Sequence, residues 1–470
     1  MVQLALPIIR LTAIVGAVVL AGCALTTPPA HDAIVHEALP KDTTIPPAWK
    51  AQADTGAAAN DWLKSFDDPT LDSLVTEAIA NNRDLAQAAE QVRIAQQVVI
   101  VVGAQLLPQV GAVLGGRTTR DEGNTGNFTS SVAYVGVAWE LDVWGRLRAQ
   151  RAAAAAGATA TALDYAYARQ SLAATVAKAW YLACEARQLL ALAEQAVRIY
   201  GELLDLVKIR RAAGKVSDLD VVDTQANLDA AHAQVELARA AYGEAQRALE
   251  VLLGRYPAAE IEAARAFPAL PPPVAAGVPA SLLERRPDLA AAEQQVLTAF
   301  RRQEAAKLAL LPDFSISFAG GRLGDQILSV LGLNPWLASA AIGVSIPIYE
   351  GGALRAKVEI ATARQAKAVA AYGAAALTAF REVENALANE QLLAQRLPFM
   401  QGTVASRTDA VRIATIQYVA GKQDLLWVSN LQAGQLGAEA ALIKLRGQQR
   451  ANRIQLHLAL GGSFDAAPGR

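Results

Sequence analysis

Twice in this chain an alternating run of residues passes straight into a long helical pattern. In Val132–Ala149, the residues Ala133, Val135, Val137, Trp139, Leu141 and Val143 fall on one side. Tyr134, Gly136, Ala138, Glu140 and Asp142 fall on the other. That is the period of a β-strand with one apolar face. After Trp144-Gly145 the sequence becomes alanine-rich and helical, from Arg146 to Ala213. The switch then recurs. Ala340, Ile342, Val344, Ile346 and Ile348 share one strand face, Gly351-Gly352 breaks it, and a second helical run begins at Leu354. A helix of the 68 residues Arg146–Ala213 would be roughly 100 Å long at the standard rise, too long for a compact domain. Alanine lets such helices pack closely, and charges such as Glu185, Arg187, Glu194 and Arg198 are expected to face water.

The recurrence is a duplication. Asp84-Leu85-Ala86 matches Asp288-Leu289-Ala290, and Leu106-Leu107-Pro108 matches Leu310-Leu311-Pro312, both at an offset of 204 residues. Leu147-Arg148-Ala149, Ala213-Gly214-Lys215, Gln225-Ala226 and Leu253-Gly254 recur 207 residues on, at Leu354, Ala420, Gln432 and Leu460. Matches in one order at nearly one offset indicate two repeats. Each reads as helix, two strands, long helix, turn and helix. The expected boundaries are a signal segment at 1–22, an extended tether at 23–60, a first repeat at 61–260, a linker at 261–280, a second repeat at 281–463 and a tail at 464–470. Within the repeats, Asp67–Asn81 is a capped helix with Pro69 near its start, Arg83–Leu107 a longer one, and Gln109–Arg120 a weak strand. In the second repeat Phe314, Ile316 and Phe318 alternate, and Gly320-Gly321 with a loop to Pro335 separates that strand from Ala340–Ile348.

Four strands cannot close a barrel, and lipid forbids an open sheet edge. If these strands cross a membrane, several chains must share one barrel. The apolar face suits lipid. The opposite face, with Ser, Gly, Tyr, Glu and Asp, suits a wet lumen. A soluble four-stranded sheet packed on the helices is the alternative.

Hydrophobic residues make up 53% of the chain but aromatics only 6%, as expected of alanine-rich packed helices. A net charge of −1 gives no field for nucleic acid. His31, His36, His232 and His457 are scattered, Glu382 and Glu384 point different ways on a helix, and no nucleophile–base or metal spacing occurs. The expectation is therefore no enzyme, no cofactor and no metal site. The apolar run Leu11–Ala21, ending in Leu20-Ala21-Gly22-Cys23, resembles a bacterial lipoprotein signal. That likeness implies cleavage before Cys23, a diacylglycerol on its sulfur and an acyl chain on its amine. Ala24, in place of a retaining aspartate, permits sorting to the outer membrane. With Cys23 modified, Cys184 has no intrachain disulfide partner.

Further motifs extend the comparison: Trp139-Glu140-Leu141-Asp142 with Trp144-Gly145-Arg146, Glu284-Arg285-Arg286-Pro287-Asp288-Leu289, Leu311-Pro312-Asp313, Pro347-Ile348 with Gly351-Gly352, and Thr378 to Leu387. In these residues the chain resembles the TolC-like outer-membrane efflux family, in its lipoprotein branch (NodT-type outer-membrane factors), from about residue 45 onward. The resemblance implies an α+β membrane protein in which a homotrimer shares a 12-stranded β-barrel continued by a long α-helical barrel through the periplasm. It implies a passive channel for drugs or toxic small molecules, docked on a periplasmic adaptor (a membrane fusion protein) and an inner-membrane pump of RND type. A channel for type I protein secretion and a structural periplasm-spanning lipoprotein are the alternatives. No phosphate-binding GxxxxGK[ST] is present, consistent with energy from a partner. Carried over by position, Tyr418 and Asp220 match a hydrogen-bonded gate pair, Leu426 an apolar constriction, and Asn430 a position that often holds an aspartate. Asp223 is the first-repeat counterpart of Asn430. Lys215 and Lys422, beside the duplicated turns, are adaptor-contact candidates.

Overall fold

A computed structural model describes residues 25–51, 56, 60–120, 127–325 and 336–464. The elements in order are α1 (His31–Ala38), a 3-10 turn (Trp62–Phe66), α2 (Pro69–Asn81), α3 (Arg83–Ala104), β1 (Gln109–Arg120), β2 (Asn127–Leu141), α4 (Arg146–Ala212) and α5 (Asp218–Leu252). The second repeat supplies α6 (Pro279–Arg285), α7 (Pro287–Leu308), β3 (Asp313–Asp325), β4 (Trp336–Ser345), α8 (Ala353–Val419) and α9 (Leu425–Ala459). The duplication is repeated in the backbone. α7 copies α3 at an offset of 204 at both ends, and α8 and α9 copy α4 and α5 at 207. The chain forms two compact units that cut across the repeats. One holds 1–43, 90–163 and 290–375, the other 44–89, 164–289 and 376–470.

The first unit carries the sheet, ordered β1-β2-β3-β4 and antiparallel throughout. Its register bears out the two faces. Val110, Val137, Phe318 and Ala340 form one cross-strand row, and Trp139, Ile316 and Ile342 another, both on the apolar face. Gly136, Ala319 and Ser339 make a row of the opposite face. β3 does not stop at Gly320-Gly321 but runs on to Asp325, and β4 begins at Trp336 and ends before Ile346. Position 321, opposite Tyr134, requires glycine, because a Cβ there would collide with the Ala133 carbonyl oxygen and the Tyr134 Cβ. The strand-to-helix switch has a local cause. The Asp142 carboxylate accepts from the backbone N–H groups of Leu147 and Arg148, both at 2.9 Å, and so caps α4.

The expected tether is not simply extended. α1 forms within it, although Ala30 gives its start no side-chain cap. Docking holds it. Ile34 is buried against Val296, Val369 and Tyr372, and His31 Nδ1 lies 2.7 Å from Glu293 Oε2. Farther on, the Trp49 indole donates to the Ala276 carbonyl at 3.1 Å.

The second unit has the main core, in which Trp62, Phe66, Leu71, Trp180, Tyr181 and Leu249 pack with small residues of α4. Asp68 caps α2 through the N–H groups of Thr70 and Leu71, and its other oxygen accepts from the Trp180 indole at 2.8 Å. The linker is pinned. Arg453, buried on α9, donates to the carbonyls of Pro271 and Pro272 and to Glu390, and Arg450 lies 4.3 Å from the Phe267 ring centroid. The expected hydration of α4 is corrected at two of its charges. Glu185 is half-buried and its carboxyl is raised by desolvation, while Arg187 bonds the Ala263 carbonyl. Glu194 and Arg198 are exposed. Glu382 and Glu384 diverge, the first accepting from Arg286 and the second from the N–H groups of Lys50 and Ala51.

Two predictions follow from this packing. Gly254 has φ +74° and a Cβ there would meet the Asn81 carbonyl oxygen at 2.7 Å, whereas Gly214 has φ +71° and open space around it. Gly214→Ala should cost about 1–2 kcal/mol from the left-handed backbone alone, and Gly254→Ala clearly more, as read from denaturant unfolding followed by helical circular dichroism. Equal losses would remove the close approach from the account. His457 is buried, stacked on Trp62 with ring centroids 5.5 Å apart, and desolvation followed by the Arg453 charge lowers its pKa from 6.5 to about 4. The folded state therefore takes up its proton only near pH 4, while the unfolded chain does so near 6.5. Stability should decline as pH falls through that window, by about 3 kcal/mol in all, and His457→Gln should flatten the decline.

Candidate functional site

The two helix-to-helix turns between α4 and α5 and between α8 and α9 are built alike. At the first, Gly214 N–H bonds Arg211 O and Lys215 N–H bonds Arg210 O, both at 2.9 Å. At the second, Gly421 N–H bonds Tyr418 O and Lys422 N–H bonds Gln417 O, also at 2.9 Å. Both glycines have φ +71°, the backbone that ends a helix in this way. Each following helix is then capped by a side chain. Ser217 and Asp220 form a reciprocal capping box at the start of α5, and Asp424 accepts from the Trp427 N–H at 2.9 Å at the start of α9.

One apolar cluster holds the turns together. Leu203 and Val207 of α4 meet Ala414 and Tyr418 of α8 and Leu425 and Val428 of α9. Arg210 reaches across from α4. Its guanidinium lies 4.6 Å from the Tyr418 ring centroid, and its Nη1 donates to the Val419 carbonyl at 3.1 Å. Tyr418 is 2% exposed, and burial pushes its hydroxyl pKa up. Among the described residues that hydroxyl has no hydrogen-bond partner. Asp220 spends its carboxylate on Ser217 instead, accepting from the backbone N–H at 2.8 Å and from the hydroxyl at 2.7 Å. The Tyr418–Asp220 pair expected from the resemblance is thus not joined by a hydrogen bond within the chain.

The other expected residues lie on the surface of the same region. Lys215, Lys422, Asp223 and Asn430 are exposed, and Asn227 reaches Asp223 at 3.4 Å. Leu426 is 60% exposed, and its repeat counterpart Leu219 is 74% exposed. Val222 and Trp427 are exposed beside them. Sequence reading passed over Leu219, Val222, Trp427 and Arg210, though the offset of 207 that pairs Gly214 with Gly421 also pairs Leu219 with Leu426. Cys23 lies outside the described residues. Among the described residues no group of His, Cys, Asp and Glu is arranged to hold a metal ion, and no helix is long and apolar enough to cross a membrane.

The sequence profile described as outer membrane efflux protein matches residues 74–255 and 278–462. The chain belongs to the outer membrane efflux protein family. This efflux protein is 31% identical over 460 residues to the pyoverdine export outer membrane protein OpmQ of Pseudomonas putida, covering 95% of this chain and 96% of OpmQ. It is 30% identical over 481 residues to the toluene efflux pump outer membrane protein TtgC of Pseudomonas putida, covering 97% and 96%. Its fold matches the outer-membrane channel OprN with a TM-score of 0.82 at 26% identity, over 94% of this chain and 100% of OprN. The Campylobacter jejuni outer membrane channel CmeC shares the fold with a TM-score of 0.83 at 20% identity, over 95% and 96%. The protein is an outer-membrane component of an efflux system.

The geometry at these turns separates ring from hydroxyl. Tyr418→Phe should leave stability within about 0.5 kcal/mol, because the hydroxyl makes no bond to lose. Tyr418→Ala should cost about 3–5 kcal/mol by emptying the cluster. Arg210→Ala should cost about 1 kcal/mol through the lost ring and carbonyl contacts. Urea unfolding of the three variants checks this, and a Phe variant as damaged as the Ala variant would mean the hydroxyl has a partner.

Proposed function

We propose that three copies of this efflux protein share one twelve-stranded barrel and form a passive export channel. The carrying observation is the sheet edge. β1 and β4 are the outer strands of an antiparallel sheet that has an apolar face, and neither outer edge has a partner within the sheet. In lipid those edges need strands from neighbouring copies, so β4 of one copy pairs with β1 of the next. Three copies, the number implied by the family resemblance, give an aqueous lumen lined by the Gly, Ala and Ser face.

On this reading the long helices continue the channel into the periplasm, and the duplicated turns form its far tip. Leu219 and Leu426 from each copy present an apolar constriction there, with Asp223 as the acidic group and Asn430 in place of a second carboxylate. Lys215 and Lys422 meet a periplasmic adaptor, which links the channel to an inner-membrane pump that supplies the energy. The lipid on Cys23 anchors the start of the chain. The exported solutes are small organic molecules, in keeping with the pyoverdine and toluene named for its relatives.

Single-channel conductance in planar bilayers tests the reading, with the wild type beside Leu219→Ser and Leu426→Ser. Stable pores are expected, with larger unitary conductance in the serine variants. Pores unaffected by either substitution would remove these leucines from the constriction. A folded, lipidated sample that makes no pores would sink the channel.

A further inference from the structure

The apolar face of the sheet carries one charged side chain between the row of Leu141, Phe314 and Val344 and the row of Leu114, Ala133, Arg322 and Trp336. That side chain is Arg322. It is exposed, and among the described residues no hydrogen bond or ion pair to its guanidinium is found. Trp336 stands opposite it across β3 and β4, but the indole leans away over Gly320, 3.5 Å from where a Cβ would stand. The guanidinium is thus left open.

Beside it the sheet is hollowed. A depression of about 580 Å³ is lined by Arg322, Leu114 and Ser131 together with Gly116 and Gly324. The two glycines create the space. A Cβ on Gly116 would meet nothing nearer than a carbonyl oxygen at 4.0 Å, and one on Gly324 would crowd Ser131 Oγ at 2.5 Å. The Ser131 hydroxyl lies along the floor, donating to the Gly324 carbonyl at 3.4 Å.

We propose that Arg322 and this hollow bind the phosphate of a phosphorylated lipid in the outer leaflet of the membrane. The inference rests on the reading that the apolar face meets lipid, with the β-hairpins pointing outward. An arginine on a lipid-facing strand is costly at mid-membrane and nearly free at the interface. Arg322 sits in the last apolar row before the hairpin ends. The rows from Leu141 to Ala133 span nine residues of β2, eight steps or about 27 Å of strand. Tilted about 40°, that length corresponds to roughly 21 Å along the membrane normal, close to the apolar band of such barrels. Trp336 marks the same level, as aromatic side chains do at membrane interfaces. Among the described residues no carboxylate meets the guanidinium; the anion available at that depth is a lipid phosphate, and Arg presents a planar fork that matches it.

The test uses the purified full chain in detergent as wild type, Arg322→Gln and Arg322→Lys. Each is titrated with diphosphorylated lipid A and with its dephosphorylated form, and bound lipid is counted by native mass spectrometry. Lipid A should bind the Gln variant roughly five- to tenfold more weakly than the wild type, with Lys in between. The dephosphorylated lipid should bind all three alike. Equal binding of lipid A to wild type and Arg322→Gln overturns the proposal. Full displacement of lipid A by millimolar inorganic phosphate does so too, by assigning the hollow to free phosphate. Conductance of the same samples keeps the two readings apart. Normal pores with no dependence of lipid binding on Arg322 sink this inference alone, whereas pores absent from every sample remove the channel beneath it as well.

Discussion

A backbone amide or carbonyl in lipid needs a partner, because no water is there to supply one. β2 and β3 are paired on both sides within the chain, while β1 and β4 are each paired on one side only. The sheet also has little packed over it. Val110, Ile342 and Val344 of its apolar face are exposed. Within one chain its backbone ladders are therefore supplemented by side-chain contacts at its ends. The indoles of Trp139 and Trp144 donate to the carbonyls of Leu106 and Pro312 at 3.0 and 2.8 Å. Arg146 meets Glu140 at the foot of β2. These contacts fix the base of the strands, while the edges and the apolar face stay uncovered within the chain.

The second constraint is the duplication, which reuses one backbone plan with different chemistry. At the junction of α2 and α3, the Asn82 amide donates to the Leu252 carbonyl at 3.0 Å. At the equivalent junction Arg286 reaches the Ala459 carbonyl at 3.3 Å and also holds Asp288 and Glu382 at 2.7 Å. A short neutral link in one repeat is thus a buried ion cluster in the other. Breaking that cluster by removing one partner leaves a charge without compensation, which costs far more than losing the neutral link. The tips differ in the same manner. Arg211 pairs with Asp218 on the surface at 2.5 Å, while its counterpart Tyr418 is buried beneath Arg210.

Periodic features were legible in the sequence, and features made by tertiary contact were not. The duplicated offsets, the two long helices and the alternating strand faces depend on spacing alone, and they recur in the backbone. α1 is not legible in the sequence because HDAIVHEA is short and lacks a capping side chain, and its order rests on the pocket for Ile34 and the His31–Glu293 contact. Paired glycines at 320 and 321 read as a turn in the sequence, yet here the Trp336 indole packs over Gly320 and the neighbouring strand at Ala133 and Tyr134 comes too close to Gly321 for any larger residue. Pro398 lies inside α8, where proline is costly. Pro398 and Ala394, whose carbonyl loses its donor, are both exposed, so water can take that carbonyl. Of the candidate site, the turns were readable from the repeat, whereas Leu426 came only from the family resemblance. Arg210 came from neither, since its place over Tyr418 depends on α4 and α8 meeting in one cluster.

That cluster bears on how a constriction could close and open. Within the chain the tip is anchored by a few side chains around Tyr418, while Leu219 and Leu426 stay in water. Burying a leucine is worth about 1.5–3 kcal/mol. In the proposed trimer six such leucines would meet at one level, giving an upper bound of roughly 9–18 kcal/mol for closure before side-chain ordering is counted. Opening then needs a compensating surface, and the exposed lysines of the two turns are basic handles close by. A partner that engages Lys215 and Lys422 would act within one helical turn of the leucines. Its binding would bear directly on the equilibrium of the constriction, with no need for a signal carried through the length of the helices.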